Sequence, residues 1–148
     1  FSGSLPRQWA RLSSVSVLDC GTNRISGSLP PQLLRMRSMA TVTLSHNPLS
    51  GSLGTTLDCP RLFWLHMTDT QLSGTLPTEI GGLSRLSELA LISNGMSGSL
   101  PTELGALTAL TRLGLAQSAV SGTIPPQLGH LVALTEAVVS LDSLSGTL

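Results

Sequence analysis

The chain has no lysine and no tyrosine, and only two phenylalanines and two tryptophans among 148 residues. Without lysine there is no phosphate-binding lysine of a P-loop, no Schiff-base amine and no Ser-x-x-Lys nucleophile. Gly-x-Ser-x-Gly, His-Glu-x-x-His and Cys-x-x-Cys are missing as well. The expectation is a chain that is not an enzyme and carries no cofactor. No apolar run reaches the roughly 18 residues of a membrane-spanning helix. These residues are read as carrying no secretory leader, and they do not start with Met; they hold no Asn-x-Ser/Thr glycosylation site, because Asn23, Asn47 and Asn94 all fail the rule. Net charge is zero, which removes the electrostatic case for nucleic acid or an anionic membrane surface.

What is present is a period. Ser-Gly recurs at Ser2, Ser26, Ser50, Ser73, Ser97, Ser121 and Ser145, in steps of 24, 24, 23, 24, 24 and 24 residues. A fixed period of that length over the whole chain predicts a solenoid, each unit packed only on its neighbours. Within a unit, Leu113 and Leu115 alternate as in a short strand whose two side chains point to one face. The equivalent pairs are Leu18/Cys20, Val42/Leu44, Leu65/Met67, Leu89/Leu91 and Ala137/Val139. Stacked copies pair these strands in parallel, and each then needs a crossover. Ser-Gly-x-Leu-Pro supplies a second extended segment, and the proline starts a short helical turn. Glu79 and Glu103 fall in the first turn, where the helix dipole favours a carboxylate. Gly81, Gly105 and Gly129 follow closely and are read here as helix stops.

The unit Leu-x-x-Leu-x-x-Leu-x-Leu-x-x-Asn/Ser-x-Met/Val-Ser-Gly-x-Leu/Ile-Pro-x-x-Leu-Gly, seen from Leu83 with Asn94 and again from Leu107 with Ser118, resembles the leucine-rich repeat family, specifically its plant-type subfamily. Six complete copies and a stub carry the resemblance. It implies an α/β fold: a right-handed horseshoe solenoid with a parallel concave β-sheet and short 3-10 or irregular convex segments. One domain covers residues 1–148. Neither end has the polar cap that a solenoid needs, so the chain is read as a segment of a longer array, with neighbouring repeats as its first partners.

Asn23, Asn47 and Asn94 sit three residues after the last strand position, where an amide both donates to and accepts from the turn backbone. Thr70, Ser118 and Asp142 hold that place in the other copies and make a weaker network. Cys20 and Cys59 take apolar positions two repeats apart, about 9–10 Å along the stack, too far for a disulfide. They are expected as free, buried thiols. The third copy breaks the pattern: Gly54 replaces the proline and the crossover glycine between Asp58 and Cys59 is missing, so its crossover should be looser.

The outward strand positions give the candidate binding face. One column holds Val17, Thr41, Trp64, Glu88, Arg112 and Glu136. The next holds Asp19, Thr43, His66, Ala90, Gly114 and Val138, and the turn after the strands holds Thr22, His46, Asp69, Ser93, Gln117 and Leu141. Trp64, beside Phe63, is an interface residue type, with His66, His46 and Asp69 expected as a polar rim around it. Glu88, Arg112 and Glu136 are expected to form an ion-pair ladder across adjacent strands. His46 and Asp69 should lie side by side as a hydrogen-bonding pair, not a metal site, since no third ligand is well placed. Ala90, Ile92, Gly114, Ala116, Val138 and Leu141 form a small apolar patch that hints at a protein contact.

These readings converge on a non-catalytic module that recognises a protein or peptide through its concave face, at Trp64, His66, His46, Asp69, Glu88 and Arg112. The resemblance implies a cell-surface receptor ectodomain or a secreted recognition protein, hence an extracellular or cell-surface location, with a cytoplasmic one as the alternative. Two other functions stay open at this point: a structural scaffold or coat array without a concave ligand, and an enzyme inhibitor of the polygalacturonase-inhibitor kind.

Overall fold

The computed structural model describes residues 1–139 and the strand at 143–144. Leu141, Asp142 and the stub's Ser145-Gly146 lie outside the described residues. Alternating apolar positions build a six-stranded parallel sheet from Val17–Asp19, Thr41–Thr43, Trp64–His66, Glu88–Ala90, Arg112–Gly114 and Glu136–Val138. Its register follows the repeat: Val17, Thr41, Trp64, Glu88, Arg112 and Glu136 stand side by side, as the spacing predicts. Behind them Val42, Leu44, Leu65, Met67, Leu89 and Leu91 are at most 1% exposed, each fully buried side chain of this size contributing roughly 1.5–3 kcal/mol. Ala137, on the last of the six strands, is exposed.

The Ser-Gly segments form a second parallel sheet of seven strands, from Ser2–Ser4 to Ser143–Leu144. Its register slips: Ser4 pairs with Ser26 and Ser28 with Ser50, two residues short of the repeat equivalent. Repeat-equivalent serines therefore run diagonally across this sheet, a stagger that periodicity does not reveal. The glycine of each Ser-Gly from Gly3 to Gly122 has a positive φ, which glycine adopts without a Cβ penalty.

The convex layer is 3-10: Arg7–Arg11, Pro31–Arg35, Thr78–Gly82, Thr102–Ala106 and Pro126–His130. Pro77 and Pro101 sit one place before the helical residues, in the extended region, rather than at the first helical position. Glu79 and Glu103 occupy the first turns as expected. Gly81, Gly105 and Gly129 are not stops, since each lies inside its 3-10 turn. At the first two, adjacent repeats approach closely: a Cβ on Gly105 would sit 2.3 Å from the Gln127 carbonyl oxygen, and one on Gly81 2.7 Å from that of Glu103. The third repeat has no 3-10 turn among its described residues. Its crossover is pinned instead by buried Leu53, Cys59 and Leu62 and by the Asp58 amide donating to the Leu34 carbonyl at 3.0 Å.

Under the concave turns the asparagine ladder is in place. Asn47 donates to the carbonyls of Cys20, Leu44 and Ser45 at 2.9–3.2 Å and accepts from the Ile25 amide at 2.9 Å. Asn94 bonds the carbonyls of Met67 and Leu91, both at 2.8 Å, and accepts the Thr70 hydroxyl. Ser118 makes a single bond, 3.1 Å to the Leu115 carbonyl, the thinner network expected of a hydroxyl. Both cysteines are free.

Candidate functional site

Trp64 and His66 are two residues apart on one strand, so both side chains stand on the concave face. The indole stacks on the imidazole, ring centroids 6.0 Å apart and planes 13° from parallel, while Phe63 lies tilted at 5.8 Å on the other side in sequence. Trp64 remains 40% exposed, so the stacking fixes the ring without removing it from solvent. The adjacent strand brings Glu88 to the same place. His66 Nε2 is 3.1 Å from one Glu88 oxygen, and Arg112 donates to the other at 3.2 Å. Arg112 then reaches Glu136 at 3.5 Å.

The expected ladder of Glu88, Arg112 and Glu136 is thus present, with His66 added at its end. The contact is diagonal: His66 lies in the column next to that of Glu88. Such neighbours are about 7–8 Å apart at the backbone, within reach of long side chains. The side chain of Glu88 is only 18% exposed, so its two partners matter more than those of an open surface pair.

His46 and Asp69 are side by side, as the register predicts, with His46 Nδ1 2.9 Å from Asp69 Oδ2. Both belong to the turn after the strands, where Thr22, His46, Asp69, Ser93 and Gln117 all have φ between 51° and 58°. This left-handed conformation is uncommon for residues other than glycine. The polar rim expected around Trp64 therefore divides in two. His66 packs on the indole, and the His46–Asp69 pair forms a separate contact along the turn edge. Ser93 continues that edge by donating to Gln117.

The apolar patch is smaller than its composition suggests. Ala116 is 4% exposed and Gly114 is buried, because the Ile92 side chain of the preceding repeat lies over Gly114, within 2.9 Å of where a Cβ would stand. Val138 remains 41% exposed. Between this patch and the ladder is a depression of about 160 Å³, lined by His66, Glu88, Ala90, Ile92, Arg112, Glu136 and Val138. Glu136 is the residue that the sequence-based site lacked; its place in the Glu88–Arg112 column was the signal for it.

Burial pushes the Cys59 thiol up to about 11, and burial followed by the charge of Asp19 raises that of Cys20. Neither cysteine belongs to the ladder. Among the described residues no three His, Cys, Asp or Glu side chains converge as a metal site, and no helix is long and apolar enough to cross a membrane.

Solved structures resemble this chain over nearly its whole length. A crystal structure of PEPR1–AtPEP1 superposes with a TM-score of 0.94 at 27% identity, covering 98% of this chain and 20% of that one. The leucine-rich repeat ectodomain of the Arabidopsis receptor kinase HAESA, in complex with an N-terminally extended IDA peptide hormone ligand, gives 0.89 at 33% identity, covering 97% and 25%. A chain of the BIR3–SERK2 complex from Arabidopsis thaliana gives 0.75 at 33% identity, covering 87% and 69%. The chain spans about a fifth to a quarter of the PEPR1 and HAESA chains. No family model and no curated protein sequence matches it.

Proposed function

The chain belongs to the plant-type leucine-rich repeat family, and from that premise we propose that it is a non-catalytic recognition module. Its concave face binds a peptide or an extended protein segment, as part of a receptor ectodomain or secreted recognition protein acting outside the cell or at its surface. The observation that carries this reading is Trp64: a 40% exposed indole, held in one orientation by His66, beside a depression edged by Glu88 and Arg112. An ordered aromatic next to a recess is the arrangement of an interface hot spot. Two similar structures support it, since PEPR1 is seen with AtPEP1 and HAESA with a peptide hormone. The binding residues in this proposal are Trp64, His66, Glu88 and Arg112, with His46 and Asp69 along the turn edge.

The test is a selection of displayed random peptides against the chain, followed by titration of the selected peptide into Trp64→Ala. Binding should fall by about 2 kcal/mol or more with little change in melting temperature. Unchanged affinity for Trp64→Ala would refute the reading.

A further inference from the structure

The concave face and the rest of the chain carry opposite charge although the whole is neutral. On the concave strands and turns, Asp19, Asp69, Glu88 and Glu136 stand against Arg112 alone, four carboxylates to one guanidinium, a formal −3 with both histidines neutral. The other seven arginines all lie on the crossovers and the second sheet. Arg112 is moreover held between Glu88 and Glu136, at 3.2 and 3.5 Å. An anionic ligand therefore finds no free cation on the described part of this face. A cationic one finds carboxylates in excess and an exposed indole for a cation–π contact.

From this we infer, resting on the concave-face reading above, that the ligand is an extended peptide bearing Lys or Arg side chains. One basic side chain lies on the indole of Trp64 beside Glu88, and a second meets Glu136, which is 60% exposed. Trp64 and Glu136 stand three strands apart in one column, about 14 Å at the usual strand spacing. Four residues of extended chain cover that distance. A peptide crossing the strands thus satisfies both sites with basic residues at positions i and i+4. Ala90, a small half-buried residue in the neighbouring column, leaves room for its backbone.

The test uses three nine-residue peptides, Ser-Gly-X-Ser-Gly-Ser-X-Gly-Ser, with X as Arg, Gln or Glu. Each is titrated into the isotopically labelled 148-residue chain and followed by backbone and indole N–H shifts. The Arg peptide is expected to move the Trp64 indole and the amides of Glu88–Ala90 and Glu136–Val138. Its affinity should fall about threefold in Glu136→Gln, an exposed position, and fall again as salt screens the face. The Glu peptide should leave these signals in place. If the Gln or Glu peptide shifts them as strongly as the Arg peptide, the charge inference is wrong while concave recognition stands. If the Arg peptide moves only crossover amides, or no peptide moves the concave ones, both fail.

Discussion

Trp64 and His66 stack on the concave sheet with their ring planes 13° apart, and the same imidazole reaches Glu88 at 3.1 Å. One histidine thus couples the orientation of the exposed indole to the ion-pair ladder that continues through Arg112 to Glu136.

His66→Ala removes both contacts. The indole loses its stacking partner and Glu88, mostly buried, keeps only Arg112. The expected result is a loss of about 1 kcal/mol in stability, with a red shift of tryptophan emission as the Trp64 ring becomes freer. Urea denaturation and a fluorescence spectrum read the two effects. An unchanged spectrum would show that His66 does not position Trp64.

The asparagine ladder makes a second prediction. Asn47→Ala leaves the Leu44 carbonyl and the Ile25 amide without their partner at a buried position, whereas the Cys20 carbonyl keeps Asn23 and the Ser45 carbonyl keeps the Thr22 amide; unpaired buried groups cost roughly 1–3 kcal/mol each. A loss of about 3 kcal/mol is expected, because water reaches some of these groups once the side chain is gone. Ser118→Ala, which removes one bond, should cost about 1 kcal/mol, and Ser118→Asn should raise stability by completing the ladder. Equal costs for Asn47→Ala and Ser118→Ala in chemical denaturation would contradict this account.

Gly105 and Gly129 hold equivalent places in successive repeats and form a built-in control. A Cβ at Gly105 meets backbone at 2.3 Å, whereas at Gly129 nothing among the described residues lies within 4 Å. Gly105→Ala must push two repeats apart, and a loss of about 2 kcal/mol or more is expected from this overpacking. Gly129→Ala should be neutral or slightly stabilising through the entropy of the unfolded chain. Thermal melts of the two variants compare them directly.

The absence of lysine and tyrosine makes alkaline pH informative. With lysine and tyrosine absent, the two cysteine thiols are the side chains that bear on stability between pH 9 and 11. Cys59 has an ordinary value of 9.0 that burial raises to about 11 in the folded chain. Above pH 9 the unfolded chain releases this proton and the folded chain keeps it, so stability is full below pH 9 and falls as pH approaches 11. The loss should be about 2 kcal/mol, and Cys59→Ala should flatten most of this slope, leaving a smaller contribution from Cys20. Denaturation curves at pH 8, 9, 10 and 11 check it; a slope that persists undiminished in Cys59→Ala would assign the effect elsewhere.

The period alone determined the repeat, the in-register column from Val17 to Glu136, the inward leucines, the buried place of Asn47 and Asn94, and the irregular third crossover. All of these follow from one rule: identical positions of a stacked unit meet side by side, so a one-dimensional pattern states a three-dimensional neighbourhood. Tertiary structure decided whatever departs from that rule. The second sheet slips by two residues, so its serines meet diagonally. His66 joins Glu88 across a diagonal, and Ile92 leans over Gly114, because side-chain reach and direction are not properties of spacing. Gly81 and Gly105 serve close approach between repeats, which shows only when the neighbouring carbonyl is in place. The left-handed turn at Thr22, His46, Asp69, Ser93 and Gln117 has no glycine signal in the sequence. Its conformation is imposed by the backbone bonds each turn makes to the next repeat, such as the Thr22 amide to Ser45 and the His46 amide to Thr68.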